Sequence, residues 1–190
     1  MAKALLVTVE DLKRFSALDG SIDNEKVIQY ISIAQDIYIE NYLGTKLLTK
    51  IENDILNDTL IDPYLSLLSN YIKDMLIHFA LYELMPFIAY TVSNKGVYKH
   101  SSDNSETVRK EEVDYLAKKH LDLAQTYAGR FVKYICNHTT EFPEYTANKS
   151  EDVHPSRKTN YGGWELGPTV PSSEELRMVI NRRSKPFRGW

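Results

Sequence analysis

The sequence predicts an all-α protein: a small bundle of about four to five helices followed by an extended C-terminal arm. Two observations carry that expectation. Stretches near 25–43, 63–92 and 107–137 hold apolar residues at helical spacing. Residues 139–190 hold five of the seven prolines, four of the eight glycines and both tryptophans, and show no period longer than a possible short helix at 172–183. The chain therefore divides into a helical domain, 1–138, and a largely irregular arm, 139–190.

The elements follow in order. In "TVEDLKRFSAL" (8–18), Thr8 is placed to accept from the amide three residues on, and Asp11 occupies the reciprocal position of a capping box. "DGSIDN" (19–24) is a turn, and Asp23 or Asn24 caps the next helix. Along 25–43, Glu25, Gln29, Ser32, Asp36 and Glu40 form one narrow polar stripe, and nearly everything off it is apolar. An apolar face this wide means a helix central to its bundle or one that also packs against another subunit. Ile33, Ile37, Ile39, Tyr42 and Leu43 are the expected subunit-interface residues. Gly44 ends the helix, as glycine commonly does at C′, and "TKLLTKIENDIL" (45–56) begins another. Asp62-Pro63 starts the long helix 63–92, in which Pro86 is expected to make a kink. A polar loop follows at 93–106. In the helix 107–137, Val113, Leu116, Ala117, His120, Leu121, Ala124, Tyr127, Ala128, Phe131 and Ile135 make one apolar stripe.

Composition narrows the functional classes. Hydrophobic residues are 43% of the 190, enough for one helical domain with residues left over. The net charge of -3 gives no reason for whole-protein attraction to nucleic acid or an acidic membrane. The charge is uneven: Arg177, Arg182, Arg183, Lys185 and Arg188 sit in a tip from 177 to 190 that holds no acidic residue. Cys136 is the single cysteine, so no internal disulfide forms and no CxxC metal or redox motif exists. No signal peptide is read at the N-terminus. The apolar window 75–92 contains His78, Glu83 and Pro86 and reads as a buried helix rather than a membrane span.

The arm is not a solvating linker. Tyr161, Trp164, Phe187 and Trp190 are the expected anchors of a strand laid across another protein, and Arg177, Arg182, Arg183 and Arg188 the expected charged contacts to acidic surfaces or phosphates. Chemistry is sparse by comparison. No histidine stands at HxxxH or HExxH spacing from another ligand, and His120 on its apolar stripe reads as a packed core histidine. Cys136 and His138 are two apart on a helix and do not face one another. "YGGWELG" (161–167) has neither the preceding strand nor the GK[ST] of a phosphate loop. No catalytic residue, metal site or cofactor is expected.

The stretches "TVEDLKRF" and "VIQYISIAQDIYIENYLGTKL", the second with a Tyr-Leu-Gly stop, resemble the head–tail connector (adaptor) proteins of tailed bacteriophages. "LLSNYIKDMLIHFALYELMPFI" and the helix 107–137 fit that family's later long helices. The length and aromatics of the arm look closer to the neck ring proteins of crAss-like phages. The resemblance implies a non-enzymatic structural protein in the head–tail connector region of a virion, assembled in the host cytoplasm. It implies a homo-oligomeric ring, usually dodecameric, that binds the portal protein and other neck or tail proteins. Genome DNA would pass through the ring without sequence-specific binding, and no membrane is involved. The loop 93–106 would be free to reach the channel or the next ring, and a chain cut after residue 138 would keep its helical domain and lose docking. The alternatives are a small helical nucleic-acid-binding regulator using the basic tip, and an enzyme with a site near His78, Glu83 and His120.

Overall fold

The computed structural model describes residues 3–16, 18, 22–93, 96–99 and 109–158, with the backbone alone over 89–99. The chain is helical, as expected. Helix α1 spans Val9–Arg14, and its start is the capping box: the Asp11 amide donates to Thr8 Oγ1 and the Thr8 amide to the Asp11 carboxylate. Helix α2 (Asn24–Ala34) is capped by Asp23, whose carboxylate accepts from the Glu25 amide. It runs through a wide π turn, Gln35–Ile39, into α3 (Glu40–Leu56), which breaks at Gly44. A short α4 (Tyr64–Leu67) passes through a second π turn, Leu68–Ile72, into α5 (Lys73–Ala89).

Helix α5 continues one turn past Pro86 and stops at Ala89, short of the expected 92, because the backbone turns extended there. Strands β1 (Tyr90–Ser93) and β2 (Gly96–Lys99) pair antiparallel, Tyr90 opposite Lys99 and Ser93 opposite Gly96. Part of the expected loop is thus a hairpin, and 100–106 lie outside the described residues. Helix α6 spans Lys110–Asn137, and a 3₁₀ turn at Pro143–Tyr145 follows.

The central element is α5, not 25–43. Met75, Leu76, Ile77, Phe79, Ala80, Leu81 and Leu84 are all buried, and half-buried His78, Tyr82 and Glu83 are the polar or amphipathic side chains of that stretch. It packs against α2 and α6. Buried Ala117, Ala124 and Ala128 on α6 let the two long helices approach closely, while Leu116, expected on the same stripe, is largely exposed. The wide apolar face of 25–43 is met mostly within the chain: Tyr38 stacks on Phe79 with ring centroids 4.2 Å apart, and Ile39, Tyr42 and Leu43 have no exposed surface. These three are core residues, which corrects their assignment to a subunit interface. Half-buried Ile33 and exposed Ile37 keep surface for a partner.

The boundary at 138 is also corrected. Phe142 and Tyr145 are buried. Phe142 packs edge-on to Tyr64 (5.4 Å) and Tyr145 edge-on to Phe131 (6.4 Å), and Tyr64 donates to Glu144 at 2.6 Å. Burying each ring contributes roughly 2–3 kcal/mol. Two buried aromatics and one half-buried hydrogen bond are enough to hold an otherwise irregular segment, so the folded body extends to residue 158.

Gln35 was not singled out by the pattern, yet it is fully buried in the π turn. Its side chain accepts from the Leu6 amide (3.0 Å) and donates to the Ala4 carbonyl (2.9 Å) and to the Glu52 carboxylate (2.7 Å). One amide group thereby fastens the N-terminal segment to α2 and α3. Burial raises the Glu52 pKa, and the Gln35 hydrogen bond opposes that rise. Gln35→Leu strands three buried polar groups and is expected to destabilise the fold by about 2–4 kcal/mol, read as a lower urea midpoint with the helical circular dichroism of the native state unchanged.

Candidate functional site

The Tyr-Leu-Gly stretch is a junction rather than a simple helix stop. Tyr42 and Leu43 point into the core, and Gly44 has φ 76 and ψ 158. That backbone is not the left-handed helical cap expected from sequence; it belongs to a region that essentially only glycine occupies. The turn opens the helical ladder on both sides and leaves backbone groups to be satisfied. Residues 148–156 satisfy them. The Thr45 amide donates to the Val153 carbonyl (3.1 Å), the Lys46 amide to Asn148 Oδ1 (3.1 Å), and the Ser156 amide to the Asn41 carbonyl (2.7 Å). The Val153 amide donates back to Thr45 Oγ1 (3.0 Å), and Lys46 forms an ion pair with Asp152 at 3.6 Å. Pro155 lies so close that a Cβ on residue 44 would stand 2.9 Å from its Cδ. The junction joins stretches about a hundred residues apart in sequence.

A second feature lies between α5 and α6. His78 and His120, which sequence spacing does not pair, meet with Nδ1 atoms 3.2 Å apart and rings stacked at 5.4 Å. Tyr127 stacks nearly parallel to His78, at 5.5 Å. Burial lowers the pKa of both histidines; His120 lowers that of His78 further, and Asp74 opposes it. Two ring nitrogens are too few for a structural metal site, and among the described residues no group of three or more His, Cys, Asp or Glu could hold a metal ion. Glu83 lies apart from the pair and accepts from the Tyr38 hydroxyl. His138 donates from Nδ1 to the Tyr134 carbonyl (2.8 Å) and stacks on the Tyr134 ring, away from Cys136 chemistry.

Beside the histidines a hollow of about 390 Å³ opens between the two helices. Pro86, Phe87 and Ala117 give it an apolar lining, and Glu83, Asp114 and Lys118 give it charge. Exposed Phe87, Ile88, Tyr115 and Leu116 extend the apolar surface on the same two helices. The signal in sequence was Leu116 and Phe87 standing at core-like positions, but periodicity alone does not say which apolar positions are left uncovered.

Tyr161, Trp164, Phe187 and Trp190, Arg177, Arg182, Arg183 and Arg188, and the 172–183 helix lie outside the described residues. No helix among the described residues is long and apolar enough to cross a membrane.

A family model described as a family of unknown function (DUF6712) matches residues 39–155, well over half of the chain. The match opens at Ile39, just before Tyr-Leu-Gly, and closes on Pro155, so it contains both sides of the Gly44 junction. No curated protein matches, and no solved structure matches.

Two measurements bear on these features. Gly44→Ala places a Cβ against Pro155 and forces alanine into a glycine-only conformation, at an expected cost of about 2–4 kcal/mol; the melting temperature should fall by about 10 °C. For the histidines the sign is fixed by their lowered pKa: as pH falls below about 6.5 the unfolded chain takes up protons that the folded seam resists. Stability should therefore decline between about pH 7.5 and pH 5, and His120→Gln should flatten that decline, as followed by urea unfolding across the range.

Proposed function

We propose that this chain, which belongs to the DUF6712 family, is a structural adaptor of a tailed-phage neck: a subunit of a ring that joins the portal vertex to the tail around the DNA channel. The observation that carries the reading is the pairing of a firmly tied helical body with uncovered apolar side chains outside its core. Ile37 is 46% exposed, Phe87 53% and Tyr115 67%. Large apolar side chains left in water on two long helices and on the α2–α3 run are what lateral neighbours in a ring would cover.

The junction supports the same role in a different way. A subunit that transmits load between a capsid and a tail needs its terminal segments fixed to its body, and five contacts at Gly44 do this for residues 148–156. In this reading the subunit interface draws on Ile33 and Ile37 with the exposed side chains of α5 and α6. The residues beyond 158 reach the portal or a neighbouring ring, with Tyr161, Trp164, Phe187 and Trp190 as anchors and the arginines as charged contacts. The protein acts without catalysis or cofactor, and its place is the virion. The corrected boundary changes the informative truncation: a cut after Lys158 spares the body, whereas a cut after 138 removes the Phe142 and Tyr145 anchors.

The test is electron microscopy and native mass spectrometry of the purified protein, alone and with the portal protein of the same phage. Closed rings that bind the portal are expected. Ile37→Asp should reduce ring formation roughly tenfold while leaving helicity unchanged. A protein that stays monomeric with and without the portal would overturn the proposal.

A further inference from the structure

The hollow between α5 and α6 combines features that an ordinary surface depression lacks. Its lining is apolar at Pro86, Phe87 and Ala117 and net acidic, with Glu83 from α5 and Asp114 from α6 against the single cation Lys118; Glu83 also accepts from the Tyr38 hydroxyl, and the volume is about 390 Å³. No ion pair among the described residues engages Asp114. A matching occupant would carry a large aromatic ring with cations on both sides of it. The chain supplies that chemistry itself: "KPFRGW" (185–190) places Phe187 between Lys185 and Arg188, with Trp190 two residues further on. No acidic residue interrupts the sequence from 177 to 190.

We propose that this hollow receives the segment Lys185–Trp190 of a neighbouring copy of the chain, so that Phe187, Arg188 and Trp190 serve the joint between subunits and Tyr161 and Trp164 are left as the anchors toward the portal or the next ring. Phe187 enters between Pro86 and Ala117, while Lys185 and Arg188 pair with the acidic groups of the two helices. The inference rests on the ring reading in one respect: a ring joint is heterologous, so each subunit must present two unlike and mutually complementary surfaces. A hollow on the body and a basic aromatic segment at the terminus are such a pair. The twenty-six residues between the last described position, Lys158, and Lys185 are ample to span from one subunit to the next, since an extended chain covers roughly 3.3 Å per residue. Binding of this kind is an aromatic anchor in an apolar seat with charged flanks that set orientation and register.

The experiment uses the full-length protein. Benzoylphenylalanine is incorporated at position 187, copies grown in light and in heavy nitrogen are mixed and reassembled, and the sample is irradiated and digested. Crosslinks from 187 to the stretches 82–88 or 114–121 that join a light to a heavy peptide are expected. Asp114→Lys, an exposed position that leaves the fold intact, should lower their yield at least roughly tenfold by setting like charges together, and Arg188→Asp in the same chain should restore much of it. Crosslinks confined to peptides of one isotope, crosslinks to other parts of the body, or none at all would overturn the proposal. Rings that form and bind the portal without these crosslinks would sink this inference and leave the adaptor reading standing. Intermolecular crosslinks in a protein that never binds the portal would do the reverse.

Discussion

At Gly44 the helical ladder of α3 opens, and two amides and a carbonyl lose their helical partners. In most proteins water or a side-chain cap would take them. Here residues 148–156, brought back after α6, supply the partners from their own backbone and from Asn148. The arrangement requires a residue with no Cβ, because Pro155 occupies the space a side chain would need. The rest follows from this contact. Once the terminal segment is fixed there, Phe142 and Tyr145 are directed onto Tyr64 and Phe131, and the folded body gains an outer layer that covers α6. Without it, α3 would end in unsatisfied backbone and the aromatics of 142–145 would have no fixed approach.

The two π turns act on the same architecture from inside. Each widens one turn of helix and shifts the phase of the residues beyond it. Gln35 opens the first still in the register of α2, four residues after buried Ile31, and fastens the N-terminal segment to α2 and α3. The second leads into α5, whose residues from Met75 to Leu84 form the centre of the core. The chain thus pins residues 4–6 and 148–156 to the α2–α3 run by hydrogen bonds that involve backbone groups. Twelve large apolar side chains among the described residues stay exposed, Ile37, Phe87 and Tyr115 among them, and those are the places where a neighbour would add most.

Much of this could be read from the residues. The Thr8–Asp11 cap, the Asp23 cap, the three long helical stretches and the stripe of α6 all depend on local spacing, and local spacing is visible in sequence. What could not be read depends on contacts between distant stretches. The apolar excess of 25–43 is real, but periodicity does not say whether a partner subunit or the chain's own α5 covers it; for Ile39, Tyr42 and Leu43 the answer is the chain itself. Gly44 was legible as a break, yet its purpose lies a hundred residues away. His78 and His120 have no sequence motif because their meeting is made by the packing of α5 on α6. The first twenty residues after α6 looked like free arm because their anchors, Phe142 and Tyr145, are too few to show a period.

The most direct test of this account is amide hydrogen exchange by NMR at Thr45, Lys46, Val153 and Ser156. If the junction is the constraint on which the body depends, these amides exchange on the slow timescale of the buried α5 amides, since they open only when the fold does. Fast exchange at all four, with α5 still protected, would mean that residues 148–156 rest on the helices without holding them, and the account would fail.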